Sequence, residues 1–191
     1  MNLIARPGGP LHGEAAIPGD KSCSHRALIL GAMAGGETRI SGLLESADVM
    51  ATAQAIEAFG IQASMRNGER IVCGGSWRSP EEPIDCGNSG TTARLLMGAV
   101  AGMPGVCATF TGDASLSARP MERVTKPLGR MGAVVEGGGR LPIDVGGARL
   151  GGIDHRNVPA SAQVKSAILL AGLGTDSSVT VLEPAPSRDH T

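Results

Sequence analysis

Tyrosine is absent from this 191-residue chain, and aromatic side chains of any kind are down to two phenylalanines and one tryptophan, Trp77. Surfaces that bind single-stranded nucleic acid by stacking bases on rings are therefore excluded. No charge of one sign dominates: 17 basic side chains face 18 acidic ones. A whole-surface affinity for nucleic acid or anionic lipid is excluded on that ground. The longest apolar runs, such as residues 27–34, are far too short to span a bilayer. The opening residues MNLIARPGGPLHG hold no apolar core of the signal-peptide kind. Four cysteines, Cys23, Cys73, Cys86 and Cys107, are not spaced as zinc ligand pairs and have no histidine cluster beside them. The reading is of reduced thiols in a cytoplasmic protein.

What the chain has in abundance is glycine, 29 residues without a collagen period, which suits many tight turns between short elements. It also repeats itself. Written from a basic residue, RALILGAMAGGETRISG begins at Arg26, RLLMGAVAGMPGVCATFTG at Arg94 and KSAILLAGLGTDSSVTVLEP at Lys165, spaced 68 and 71 residues apart. A period of about 70 residues points to repeated supersecondary units. Each copy opens with small and polar residues, DKSCSH, GNSGTTA and PASAQV, which predict loops. Helices are predicted over 27–34, 95–101 and 166–173. Strands are predicted over 38–41, 106–111 and 178–182, where β-branched residues gather. A second helix is predicted over 48–59, with Asp48 as its N-cap and Gly60 as its stop. Its counterpart over 121–131 ends at Gly132, and Pro127 should kink or divide it. Strands at 61–65, 70–73, 133–136 and 141–145 complete two units. The third has no second helix, so the reading is of two repeats and part of a third, completed by further chain or by a second chain.

The three loops carry the chemistry. Free N–H groups and the macrodipole at helix N-termini attract anions, and three such ends gathered by pseudo-threefold symmetry would form an anion-seeking concavity. The first loop offers Lys21, Ser22, Ser24, His25 and Arg26; the second, Asn88, Ser89, Gly90, Thr91 and Thr92; the third, Ser161, Gln163 and Lys165. Arg119 and Arg188 stand just before the second-helix position of copies two and three. A single Lys-Ser at a helix start is ordinarily a cap and a solvated charge, and GNSGTT alone is ordinarily a turn. His25 and His190 read as orienting or structural, since neither shows a triad partner. The functional case rests on recurrence at equivalent repeat positions.

The segments PGDKSCSHR, DCGNSGTTARL, TGDASLSARPM, PASAQVKSAILLAGL and PSRDH run in order along nearly the whole chain. Together they resemble the N-terminal part of the 5-enolpyruvylshikimate-3-phosphate synthase family, within the enolpyruvyl transferases. SAQVK and SRDHT are closer to its glyphosate-tolerance-associated class II branch. The resemblance implies an inside-out α/β barrel fold, built of βαβαββ repeats with buried helices and sheets facing solvent, here incomplete. It implies that residues 1–16 lend a strand to the other domain, and that units fall at about 17–84, 85–150 and 151–191. It also implies transfer of the enolpyruvyl group of phosphoenolpyruvate to the 5-hydroxyl of shikimate 3-phosphate. The route is addition and elimination through a tetrahedral ketal with release of phosphate, and no metal or organic cofactor is needed.

Carried over by motif, Lys21 touches both substrates. Ser22, Arg26, Ser161, Gln163 and Arg188 serve shikimate 3-phosphate. Asn88, Gly90, Thr91, Arg119 and Gln163 serve phosphoenolpyruvate. Lys21 and Arg119 act electrostatically, and the acidic base lies in the other half. Gly90 keeps the room for glyphosate that an alanine there removes in some relatives. A C-terminal fragment of the same enzyme is the implied partner, with no nucleic acid and no membrane. Two other readings compete: a shikimate 3-phosphate-binding fragment without turnover, and UDP-N-acetylglucosamine enolpyruvyl transferase. The latter's loop cysteine has no counterpart in 114–119. A repeat-built interaction protein is a further alternative.

Overall fold

The computed structural model describes residues 3–10 and 12–185. Residues 3–10 and 12–20 carry no helix or strand, and Leu3 and Ile17 are exposed. The first unit runs α1 (Lys21–Met33), β1 (Gly36–Ile40), α2 (Ala47–Ala58), β2 (Gln62–Arg66) and β3 (Glu69–Gly74). The second runs β4 (Ile84–Asp85), α3 (Gly90–Ala101), β5 (Cys107–Thr111), the single turn α4 (Ala114–Ser117), α5 (Glu122–Met131), β6 (Val134–Glu136) and β7 (Ile143–Gly146). The third contains β8 (Ile153–Arg156), α6 (Ala162–Gly172) and β9 (Val179–Leu182).

Each unit forms its own sheet: β1-β3-β2, β4-β5-β7-β6 and β8-β9. The pairs β4/β5 and β8/β9 are parallel, and each flanks an inner helix in the manner of a β-α-β crossover. No described residue supplies the corresponding strand beside β1. The helices lie inside. In α3 ten of twelve residues are buried, the all-round apolar character of a helix without a solvent face. It packs against α1, α2, α5 and α6. Outer strand faces meet solvent, as in β2, where no residue is buried. Trp77 belongs to this core, stacked on Phe59 at a ring separation of 4.7 Å and donating from Nε1 to the Ala32 carbonyl at 3.0 Å.

Several expectations are corrected. The polar stretches before each inner helix are loop only up to the capping residue, and the rest of each is the helix's first turn. Asp20, Ser89 and Ser161 each accept a bond from the backbone N–H three residues on, which starts the helix there. Ser46, not Asp48, caps α2 by accepting from Val49 N; Asp48 lies in the first turn. Helix α5 runs through Pro127 undivided. Pro127 removes one backbone bond, but Val124, Leu128 and Met131 around it are buried, and that packing holds the helix. The stops are glycines with left-handed backbones, Gly60 at φ 88° and Gly132 at φ 110°. The short elements β4, β8 and α4 are additions to the sequence-predicted set.

Candidate active site

Side-chain bonds tie the N-terminal ends of α1, α3 and α6 to one another. From the first unit, Lys21 forms an ion pair with Asp48 of α2. The Asp48 carbonyl lies 3.2 Å from Thr92 Oγ1, in the first turn of α3. Thr92 Oγ1 is also 2.7 Å from both Ser89 Oγ and Thr52 Oγ1, and Thr52 Oγ1 is 2.7 Å from His25 Nδ1. His25 is fully buried with Nε2 unpartnered. Burial, helped by the charge of Lys21, pushes its pKa down to about 4. It is neutral at pH 7 and braces α1 against α2.

The second and third units meet through Gln163. Its amide donates to Thr91 Oγ1 at 2.8 Å, and its side-chain carbonyl accepts from Arg94 at 2.9 Å. Arg94 also donates to the carbonyls of Gly90 and Pro120, each at 3.2 Å. The third and first units meet where Arg26 donates to Ser166 Oγ at 2.7 Å, while its other nitrogen holds the Ser22 carbonyl at 3.0 Å. Ser161 caps α6, and its carbonyl accepts from the buried Asn157 at 2.9 Å.

Positive charge is concentrated here. Arg119 donates to Asn88 Oδ1 and to Ser115 Oγ. Asn88 in turn donates to Asp113 at 2.7 Å. The Leu116 N–H, foremost, and then Asn88 hold the Asp113 carboxyl below its usual range. Burial first, then the charges of Arg119 and Arg123, lower the pKa of Arg94. Three guanidiniums thus crowd one place. Gly90 makes this possible: a Cβ there would stand 2.5 Å from Arg94 Nη1 and 3.4 Å from Arg119 Nη1. Fixed cations and free helix N–H groups, held by bonds between units, form an environment that stabilises anions and developing negative charge.

Of the sequence-predicted residues, Gly90, Thr91 and Gln163 are joined through Arg94, Asn88 is joined to Arg119, and Lys21 is joined through Asp48 and Thr92. Ser22 and Arg26 form the link to α6. Arg188 lies outside the described residues. Lys165 is paired with Glu183 at 3.1 Å, both largely buried, and serves the fold. Sequence reasoning missed Arg94, used there only to mark a repeat, and Arg123; for Arg94 the available signal was its equivalence to Arg26 and Lys165. Cys86 precedes the second helix start, but burial and then Asp85 push its thiol up to about 12, so it is no nucleophile. A groove of about 660 Å³ over the outer face of the second sheet, between residues 79–83 and β6, contains none of these side chains. Among the described residues no group of histidine, cysteine and carboxylate side chains could hold a metal ion, and no helix is long and apolar enough to cross a membrane.

The family model described as EPSP synthase (3-phosphoshikimate 1-carboxyvinyltransferase) matches residues 5–191. A 3-phosphoshikimate 1-carboxyvinyltransferase of Caulobacter vibrioides is 53% identical over 99% of this chain and 43% of its own length. One from Rhodopseudomonas palustris is 55% identical over 100% of this chain and 44% of its own. Among solved structures, EPSP synthase from Acinetobacter baumannii superposes with a TM-score of 0.87 at 44% identity, over 93% of this chain and 42% of that one. The enolpyruvyl transferase NikO from Streptomyces tendae shares the fold, with a TM-score of 0.70 at 21% identity, over 95% of this chain and 43% of that one. The chain thus spans under half the length of the relatives it matches.

Proposed function

Since this chain belongs to the EPSP synthase family, we propose that it forms the N-terminal part of a 3-phosphoshikimate 1-carboxyvinyltransferase, a shikimate-pathway enzyme acting in the cytoplasm. The observation that carries this reading is the joining of three helix N-termini by Arg26–Ser166, Gln163–Thr91 and Thr92–Asp48, with Arg94 and Arg119 among them. Two phosphorylated substrates need such a surface to lie side by side.

In the proposed arrangement Ser22, Arg26, Ser161, Gln163 and Arg188 hold shikimate 3-phosphate. Asn88, Gly90, Thr91, Arg119 and Gln163 hold phosphoenolpyruvate, and Lys21 leaves Asp48 to reach both. The 5-hydroxyl oxygen bonds to the central carbon of phosphoenolpyruvate and gives up its proton, while the methylene carbon gains one. Elimination then breaks the carbon–oxygen bond to phosphate and returns a proton from the methyl group. Lys21 and Arg119 stabilise the charge that moves, and the proton-transferring acid belongs to the other half. In this reading residues 1–16 also pair with that half.

The helix packing supports a complement. Helix α2 packs on α1 and α3, and α5 packs on α3 and α6. A third helix in the series would sit on α6 and α1. There an apolar groove is lined by Leu30, Leu169 and Leu173, which are 46%, 44% and 64% exposed. Exposed leucines in a cluster mark a surface that another element covers. The complement can follow on the same polypeptide or be supplied as a second chain.

Mixing or fusing the chain with the C-terminal half of a relative, and following phosphate release from the two substrates, tests the proposal. Phosphate release that requires both halves is the expected result; none from a folded mixture overturns it. Shikimate 3-phosphate binding by the chain alone, without turnover in the mixture, would instead identify a binding fragment.

A further inference from the structure

Along one side of α5, Arg123, Lys126 and Arg130 recur at three- and four-residue spacing and share a face. The helical rise spreads them over about 10 Å. That face borders a groove of about 240 Å³, whose far wall is His155, Arg156 and Asn157 at the end of β8. The one carboxylate lining the groove, Glu122, is already paired with Lys126 at 3.1 Å. Among the described residues Arg130 and Arg156 have no ion-pair partner. Asp154 does not line the groove.

The geometry points to a binding site for a small two-phosphate anion of the pyrophosphate class, held between α5 and β8. A cationic row with a single, compensated carboxylate lacks counter-charge, and its length suits two phosphoryl groups better than one. No phenylalanine, tyrosine or tryptophan lines it as a broad platform for a base, so the diphosphate itself is taken as the recognised unit. The row is preorganised: Arg123 is fixed to Asn157 Oδ1 at 3.2 Å and to the Pro159 carbonyl, and β8 is held by β9. Arg130 and Arg123 also lower the pKa of His155, after burial, as an unneutralised positive field does. Asn157 further donates to the Ser161 carbonyl and to Glu183. An anion drawing on Arg123 therefore pulls on the loop that caps α6.

Calorimetric titration of the chain with inorganic pyrophosphate tests the assignment, with circular dichroism confirming that each variant is folded. One-to-one binding is expected, weakened at least tenfold by Lys126→Ala with Arg130→Ala, since tenfold is about 1.4 kcal/mol, no more than one charge-assisted bond supplies. Arg156→Glu, on the sheet side, should weaken it independently. Lys21→Ala, at the helix-end site, should leave it within about twofold. Failure to bind, groove variants that bind like the parent, or loss of binding with Lys21→Ala in place of the groove variants would each overturn the site.

Discussion

Gly98 of α3 faces Ala167 of α6 so closely that a Cβ built on the glycine would stand 2.1 Å from the Ala167 carbonyl oxygen. The two helices carry Gly90 and Thr91 at one N-terminus and Ser161 and Gln163 at the other, so this contact sets the spacing of the site. The obstacle is helix backbone, which cannot step aside. Gly98→Ala should destabilise by about 1–3 kcal/mol, despite the gain in helix propensity. Gly129 in α5 has nothing within 4 Å, so Gly129→Ala should stabilise by up to about 1 kcal/mol. Urea unfolding of the two variants reads both signs; equal effects would mean the helices are not packed this closely.

His25 makes stability depend on pH. Its folded pKa of about 4 lies below the 6.5 of an unperturbed histidine, so between those values the unfolded chain binds the proton and the folded chain does not. Stability is therefore full above about pH 6.5 and is lost as pH falls towards 4, by roughly 3 kcal/mol over a gap from 6.5 to about 4. His155, also lowered, acts in the same direction, while the lowered Asp113 acts below its ordinary 3.8. Chemical unfolding at pH 7.5, 6 and 5 should show the decline, and His25→Gln should flatten most of it. An unchanged slope in His25→Gln would place the effect elsewhere.

The architecture was readable because the repeats announce themselves in apolar runs ended by glycine, such as those that stop at Gly60 and Gly132. Long-range arrangement decided the rest. The sequence around Asp48 suits a cap equally well at Ser46, and only packing brings Lys21 to Asp48 and leaves Ser46 to cap α2. Pro127 reads as a helix breaker locally but is held by a buried face. The two-residue β4 and the polar β8 exist through parallel pairing with β5 and β9, a partner no local pattern names. In the site, Lys21, Gly90 and Gln163 were legible as helix-start chemistry. The bridging role of Arg94 depends on α6 lying beside α3, which spacing along the chain does not encode.

Arg94 is the joint between the second and third units, and a lysine cannot replace its fork. Arg94→Lys should leave at least one of the three carbonyl acceptors it serves unpaired, at Gly90, Gln163 and Pro120. A cost of about 1–3 kcal/mol is expected. A double-mutant cycle with Gln163→Ala should give a coupling of about 0.5–3 kcal/mol. Additive effects would show that the Arg94–Gln163 bond does not hold the two helix ends together.

Gly90 poses the opposite case to Gly98. The nearest atom to an added Cβ, 2.5 Å away, is Arg94 Nη1, and the next, at 3.4 Å, is Arg119 Nη1. Both are ends of flexible side chains and both can move. Gly90→Ala should therefore cost less than about 1 kcal/mol of stability, the usual scale for a change without backbone conflict. Function should suffer more than folding. The methyl group pushes the end of Arg94 aside and narrows the place proposed for phosphoenolpyruvate. In the complemented enzyme, KM for phosphoenolpyruvate should rise and inhibition by glyphosate should weaken, with KM for shikimate 3-phosphate little changed. A variant whose two KM values rise together would put Gly90 outside the phosphoenolpyruvate side of the site.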